Sequence, residues 1–424
     1  MDSTTTSLSF NRYLPFAILY FFLNGVFLPL GVLWTQLLAP LFLFWLIRYP
    51  VFWKIKYFFI LTIPLFIAHA IDGILDYGFY LKSWVLFFDT FIFGLALWQY
   101  LENCHSLRYV FRKLLIINAF LTVVALIFLR FPALRKHFWY DNAMSLSHIT
   151  FYRLQMLTYE PSFYSTTFAP IVIYYLLKAV RKEVKPTWLY YALALIPLFL
   201  SLSFGVILSM ALALGIVLVW DSRNIIFKKR NLQYFAGGII VIGLVLGSMA
   251  IFWPDNVVFR RMSNVITGRD LSFNGRTFDS FKLSMQVVDK TSIWFGAGLG
   301  QTKIYALPIF DKFYNTTIFT VNDVGIPNAL GDLYATLGLF AVILKLFLEF
   351  YFFYRTRVSS NYYRLVVFFF IFIYQFTGSF IMNIAEYAAW IIAFHPGLFP
   401  EFNKNKSPKS AHLEGPVHRQ SYPI

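Results

Sequence analysis

Apolar stretches of membrane-crossing length recur from one end of the chain to the other. They fall near residues 13–31, 33–47, 57–75, 83–100, 113–130, 161–179, 188–204, 205–220, 234–253, 330–353, 365–381 and 384–399. The run 188–220 is apolar throughout, yet as one helix it would extend about 50 Å, far beyond a hydrocarbon core of about 30 Å. Ser201, Ser203 and Gly205 supply a turn that divides it. The pattern predicts an all-α, polytopic integral membrane protein with about twelve transmembrane helices over residues 1–402. The tail, 403–424, is polar and is expected to be cytoplasmic and disordered. Two polar interruptions stand out: 131–160, and the longer 254–329 between the ninth and tenth spans.

Composition agrees: 59% of residues are hydrophobic and 13% charged, where a soluble domain carries about a quarter. The net charge of +16 does not call for nucleic acid, because Lys and Arg gather in cytoplasmic loops of membrane proteins. Alternate short loops are basic in that way: Arg48, Lys54 and Lys56; Arg108, Arg112 and Lys113; Lys178, Arg181, Lys182 and Lys185; Arg355, Arg357 and Arg364. This alternation predicts both termini in the cytoplasm. Met1–Asn11 is polar, and no small-residue cleavage site follows Tyr13–Leu30, so the first span is expected to remain as an anchor. The single Cys104 excludes an intramolecular disulfide and a thiolate metal cluster.

The two long outer segments break the charge rule. They hold Arg130, Arg135, Lys136, Arg153, Arg260, Arg261, Arg269, Arg276, Lys282, Lys290, Lys303 and Lys312. Long loops translocate regardless of charge, so topology does not explain these cations, and an anionic partner would. Arginine binds phosphate through a two-pronged fork and stays charged at any relevant pH. Arg260, Arg261, Arg269, Arg276 and Lys282 are therefore candidate ligands of a pyrophosphate at the membrane surface. Asn274-Gly275-Arg276-Thr277 reads as a turn leading into a helix over 278–288.

Glu160 precedes Pro161 at the start of the sixth span, a position that suits either a general base or a carboxylate complementing the helix dipole. Asp89 lies inside the fourth span and is an intramembrane candidate. Lys345 and Glu349, four residues apart, read as a structural pair, with the lysine snorkelling. Gly296-Ala-Gly-Leu-Gly300 follows no strand, so it reads as a flexible turn rather than a dinucleotide loop. The outer loops contain no HExxH, paired Cys or dense acidic cluster, which predicts neither metal nor cofactor.

Several short motifs in this order resemble the O-antigen polymerase and O-antigen ligase superfamily. They are Arg153 with Glu160-Pro161-Ser162-Phe163, Asn274-Gly275-Arg276-Thr277, Ile293-Trp-Phe-Gly296-Ala-Gly-Leu-Gly300, and Asn328 to Phe340. The similarity covers roughly 150–350 together with the topology. It implies a metal-independent membrane glycosyltransferase of the bacterial inner membrane, acting on an undecaprenyl-pyrophosphate-linked oligosaccharide and a growing glycan acceptor. Membrane lipids, a chain-length regulator and a flippase are the other implied partners. By this resemblance Arg153, Arg260, Arg261 and Arg276 would hold the pyrophosphate, and the general base would be Glu160 or Asp323. Ligases of the superfamily carry a His in the large outer loop, which residues 254–329 lack. That favours a polymerase of O-antigen, capsule or exopolysaccharide over a ligase. A multi-span flippase or transporter is the alternative from another class.

Overall fold

The computed structural model describes residues 16–21, 23–24, 28, 33–104, 107–143, 150–181, 183–220, 263–265, 267–268, 270–317, 319–321 and 324–404. The ninth expected span and the tail beyond 404 lie outside these residues, as does most of the first span. What is described is largely helical: α1 (Trp34–Leu37), α2 (Ala39–Leu46), α3 (Ile55–Asp72), α4 (Tyr77–Asn103), α5 (Arg108–Phe128) and α6 (Pro132–Phe138). They are followed by α7 (Pro161–Val180), α8 (Thr187–Leu200), α9 (Phe204–Trp220), α10 (Leu271–Asn274), α11 (Ser280–Asp289), α12 (Thr302–Tyr314), α13 (Ala329–Arg355), α14 (Tyr362–Tyr374) and α15 (Ile384–Phe394). Among the described residues, five helices are long and apolar enough to cross a membrane: Pro50–Asp72 (α3 with the 3-10 turn before it), α4, α5, α7 and α13.

One small sheet accompanies the helices. β1 (Trp139–Ala143) and β2 (Thr150–Leu154) form an antiparallel hairpin, with Tyr140 opposite Arg153. Trp139 is anchored by its indole N–H, which donates to the Ala125 carbonyl of α5 at 2.7 Å. Arg135 of α6 lies over the Tyr152 ring, 4.1 Å from its centroid. The described residues of 131–160 thus include a short helix and two paired strands.

At the centre is α7, buried along almost its entire length. Three of its Ser and Thr hydroxyls survive there by donating to a carbonyl about one turn back: Ser165 to Pro161 at 2.8 Å, Thr166 to Ser162 at 2.8 Å, and Thr167 to Tyr164 at 2.7 Å. Tyr164 donates to Asn118 of α5 at 2.7 Å. By contrast α3 turns Ile60, Ile63, Ile67 and Ile71 outward, an apolar face suited to lipid. The divided run 188–220 is as expected: α8 ends at Leu200, Ser201–Ser203 turn with Leu202 left-handed, and α9 begins.

Spans expected at 365–381 and 384–399 are shorter as helices. α14 has 13 residues and α15 has 11, about 20 and 17 Å of rise, against a core of about 30 Å. The irregular segment between them folds onto the start of α13, where its backbone is satisfied. Ala329 N–H donates to Gly378 O at 3.0 Å, and Ile381 N–H to Asp332 Oδ2 at 3.0 Å. Arg364, expected in a basic inner loop, is buried. Its guanidinium donates to the carbonyls of Ala393, Phe394 and Thr356, the orphan acceptors at two helix C-termini.

The Gly-rich stretch is a correction. Gly338 (φ 74°) breaks α13, so the amides of Leu339 and Phe340 lose their helical acceptors. They donate instead to Ile293 O at 2.9 Å and Trp294 O at 3.2 Å. The carbonyls left open, Ala335 and Thr336, accept from Ala297 and Gly298, both at 2.8 Å. His69 fastens the same strip: its Nε2–H donates to Phe295 O at 2.7 Å, leaving Nδ1 to accept from Tyr80 OH at 3.0 Å. Gly296–Gly300 is therefore clamped, not flexible. A Cβ on Gly338 would stand 2.3 Å from the Trp294 carbonyl. Gly338→Ala should lower stability in a detergent melt by more than the ~1–3 kcal/mol of the backbone conformation alone. Gly215→Ala, where a Cβ meets open space, should leave the melt unchanged or slightly higher.

Candidate functional site

Two chain segments far apart in sequence, one holding Arg153 and Glu160 and the other Arg276, bring charge to the N-terminal end of α7. Glu160 is the N-cap residue of that helix, yet its side chain makes no capping bond to the backbone. Oε1 instead accepts from Arg276 Nη2 at 2.8 Å and from Ser162 Oγ at 2.5 Å. The carboxylate thus partners a guanidinium, not the helix dipole. Arg276 sits on a π turn, Gly275–Asp279, that joins α10 to α11 in one helical stretch. This replaces the expected turn, and such π insertions recur at functional sites. Asn328 pins it: Nδ2 donates to the Arg276 carbonyl at 2.8 Å, while Oδ1 caps α13 by accepting from Gly331 N–H at 2.9 Å.

Arg153 reaches the same place from β2. It is 7% exposed, and Nε donates to Ser201 O at 3.1 Å while Nη2 donates to Ser203 Oγ at 3.4 Å. These bonds tie the hairpin to the α8–α9 turn. A cleft of about 470 Å³ is lined by Arg153, Arg276, Ser162, Ser203, Asp270, Tyr374 and Thr377, with Phe204–Val206, Val265 and Phe273. A second recess of about 310 Å³ shares Ser162, Arg276 and Tyr374, and adds Tyr159, Glu160, Phe163, Pro327, Ser379, Phe380 and Asn383. The Glu160–Arg276 pair stands where the two meet.

Burial pushes the Glu160 carboxyl up, but the charge of Arg276 opposes it, helped by hydrogen bonds from Ser162 and Arg276 and by the more distant Arg153. The group ends below its ordinary value of 4.5. It is an anion at neutral pH, and a poor base while Arg276 holds it.

Of the residues singled out from the sequence, Arg153, Glu160 and Arg276 converge here. Lys282 is exposed on α11 and lines neither recess, and Asp89 on α4 lines neither. Arg260, Arg261, Arg269 and Asp323 lie outside the described residues. Ser203, Asp270, Tyr374 and Thr377 join the cleft without a sequence motif to announce them. Asn328 was findable, being an Asn directly before an apolar helix. Compared with known proteins, the chain matches no protein-family model and no curated protein.

The side chains of Glu160 and Arg276 are 31% and 28% exposed, so the pair should contribute about 1 kcal/mol, less than the 3–5 kcal/mol lost on breaking a fully buried pair. Because the folded carboxyl titrates below 4.5, this contribution is complete above that value and vanishes as pH falls through the lowered one. Glu160→Gln should therefore melt lower than wild type at neutral and mildly acidic pH, with the gap closing only below pH 4.5. A gap that closes well above 4.5 contradicts the pairing.

Proposed function

We propose that this protein is a membrane glycosyltransferase that polymerises polyprenyl-pyrophosphate-linked oligosaccharide repeat units into an O-antigen, capsule or exopolysaccharide. In this reading it crosses the bacterial inner membrane about twelve times, with both termini cytoplasmic and the cleft facing outward. The observation that carries the proposal is the meeting of Arg153, Arg276 and Glu160 between two adjoining recesses. The motif resemblance, polymerase-like and without the ligase His, supports it.

The donor diphosphate would lie in the cleft against Arg153 and Arg276, with its lipid tail toward the bilayer. The acceptor sugar would occupy the second recess, where Tyr159, Phe163 and Phe380 offer apolar ring faces beside the polar Ser379 and Asn383. The acceptor hydroxyl oxygen attacks the anomeric carbon with inversion. The bond from that carbon to the phosphate oxygen breaks, and its electron pair leaves with the lipid diphosphate. Guanidinium charge stabilises that leaving group. When Arg276 turns from Glu160 to the diphosphate, the carboxylate loses its clamp and becomes basic enough to take the hydroxyl proton. Donor binding would thereby switch on the base.

A flippase would gather unpaired cations in a cavity through the middle of the bundle. Among the described residues, Lys345 is paired with Glu349 and Glu386 and Arg364 is held by helix-terminal carbonyls, and neither cation lines a recess. Arg276→Ala and Arg153→Ala should each abolish long polymer on the cell surface while the protein remains inserted, as gels of surface glycan would show. Arg276→Lys should rescue poorly, because an ammonium lacks the guanidinium fork. Normal chain lengths in both alanine variants reject the assignment.

A further inference from the structure

Away from the cleft, two buried glutamates meet one partly buried lysine where α13, α14 and α15 come together. Lys345 Nζ lies 2.7 Å from Glu386 Oε1 and 3.2 Å from Glu349 Oε1. Gln375 Nε2 donates to Glu349 Oε2 at 3.0 Å, and Trp390 Nε1 to Glu386 Oε1 at 3.4 Å. Glu349 is 5% exposed, Glu386 3% and Gln375 0%. Lys345 does not snorkel alone, as the sequence suggests; it is held between two carboxyls over the Trp390 ring.

The charges do not balance. With each group as in water, two carboxylates face one ammonium, leaving a net negative charge in an apolar interior. A buried carboxylate without a counter-charge is so costly that it neutralises instead. Among the described residues no further cation pairs with the cluster. Tyr387 on α15, Asp332 on α13 and Tyr374 on α14 face it, while Lys303 acts on Asp332 and Arg276 on Tyr374. α4 and α7 also pack on α15, and their Asp89 and Glu160 make no described contact with it.

Hydrogen bonding shows the same deficit independently. Glu386 Oε2 and Gln375 Oε1 are buried with no hydrogen-bond partner among the described residues, and Glu349 Oε1 has only its ionic contact to Lys345. All three are acceptors, so among the described residues the cluster is short of donors as well as of positive charge.

We propose that Lys345, Glu349, Glu386 and Gln375 form an intramembrane proton-binding site, which holds one proton between the two glutamates at neutral pH. That proton makes the cluster neutral and turns one acceptor oxygen into a donor. Because both glutamates share one lysine, the proton belongs to the pair and not to either residue.

Infrared spectroscopy of the purified full-length protein at neutral pH tests this through the carbonyl stretch of a buried protonated carboxyl, identified by its shift in D2O. Wild type should show the band. Glu349→Gln and Glu386→Gln, near-isosteric and checked by gel filtration, each leave one carboxylate to balance Lys345, so each should lose it. Lys345→Met leaves two carboxyls without a cation, and the band should about double as both take protons. Other buried carboxyls such as Asp332 are common to every variant and cancel in the differences. A band that persists in both Gln variants overturns the site. So does a wild type without it, as expected if the cluster stays ionised or holds a metal cation.

Discussion

The bond from Arg276 to Glu160 joins two parts of the molecule more than a hundred residues apart in the chain. One partner opens the most buried helix of the bundle. The other rides on a π turn in the polar insertion, held there by Asn328 at the start of α13. The pairing, together with the Asn328 bonds and the apolar packing of α11, holds the insertion over the helix ends. It also sets the chemistry. The carboxylate stays ionised yet is a weak base, and the guanidinium remains cationic and only partly covered, ready for a second anion.

The bundle handles charge in three ways, according to depth and geometry. At the cleft, opposite charges pair where solvent still reaches them. Between α13, α14 and α15 two buried carboxyls share one lysine and the charges are out of balance, which is the opening for a proton. Arg364 meets no carboxylate among the described residues and is satisfied by carbonyls at helix C-termini. At the end of α7 away from Glu160, Glu401 gathers Arg108 and Lys178 at 2.7 and 3.6 Å, locking the segment after α15 to α5 and α7. Some of the basic residues that the sequence assigns to topology are therefore also structural ties.

Much of this was legible in the sequence for simple reasons. Spans announce themselves because lipid demands long apolar runs, and α4, α5, α7 and α13 lie within a few residues of their expected places. Glu160, Arg153 and Arg276 were conspicuous because charge is rare here and sits where topology does not explain it. The failures share a cause, since each depended on a partner distant in sequence. Gly296–Gly300 looked flexible because its backbone partners are 335–340, and the break at Gly338 that frees them leaves no trace in hydropathy. Glu349 and Lys345 looked self-sufficient as an i, i+4 pair until Glu386 and Gln375 were brought against them. The hairpin 139–154 was missed because its sequence is too short and mixed to show a period, and its Trp139 anchor lies on another helix. Lys282 looked equivalent to Arg276, but only one of the two faces inward.

The account rests on Arg276 exchanging a carboxylate for a lipid diphosphate. Native mass spectrometry of the purified protein with undecaprenyl pyrophosphate measures that exchange directly, without the acceptor sugar or any partner protein. The account predicts a bound lipid diphosphate on wild type, no such adduct on Arg276→Ala, and tighter retention on Glu160→Gln, where the competing carboxylate is gone. Equal binding by all three proteins would contradict it.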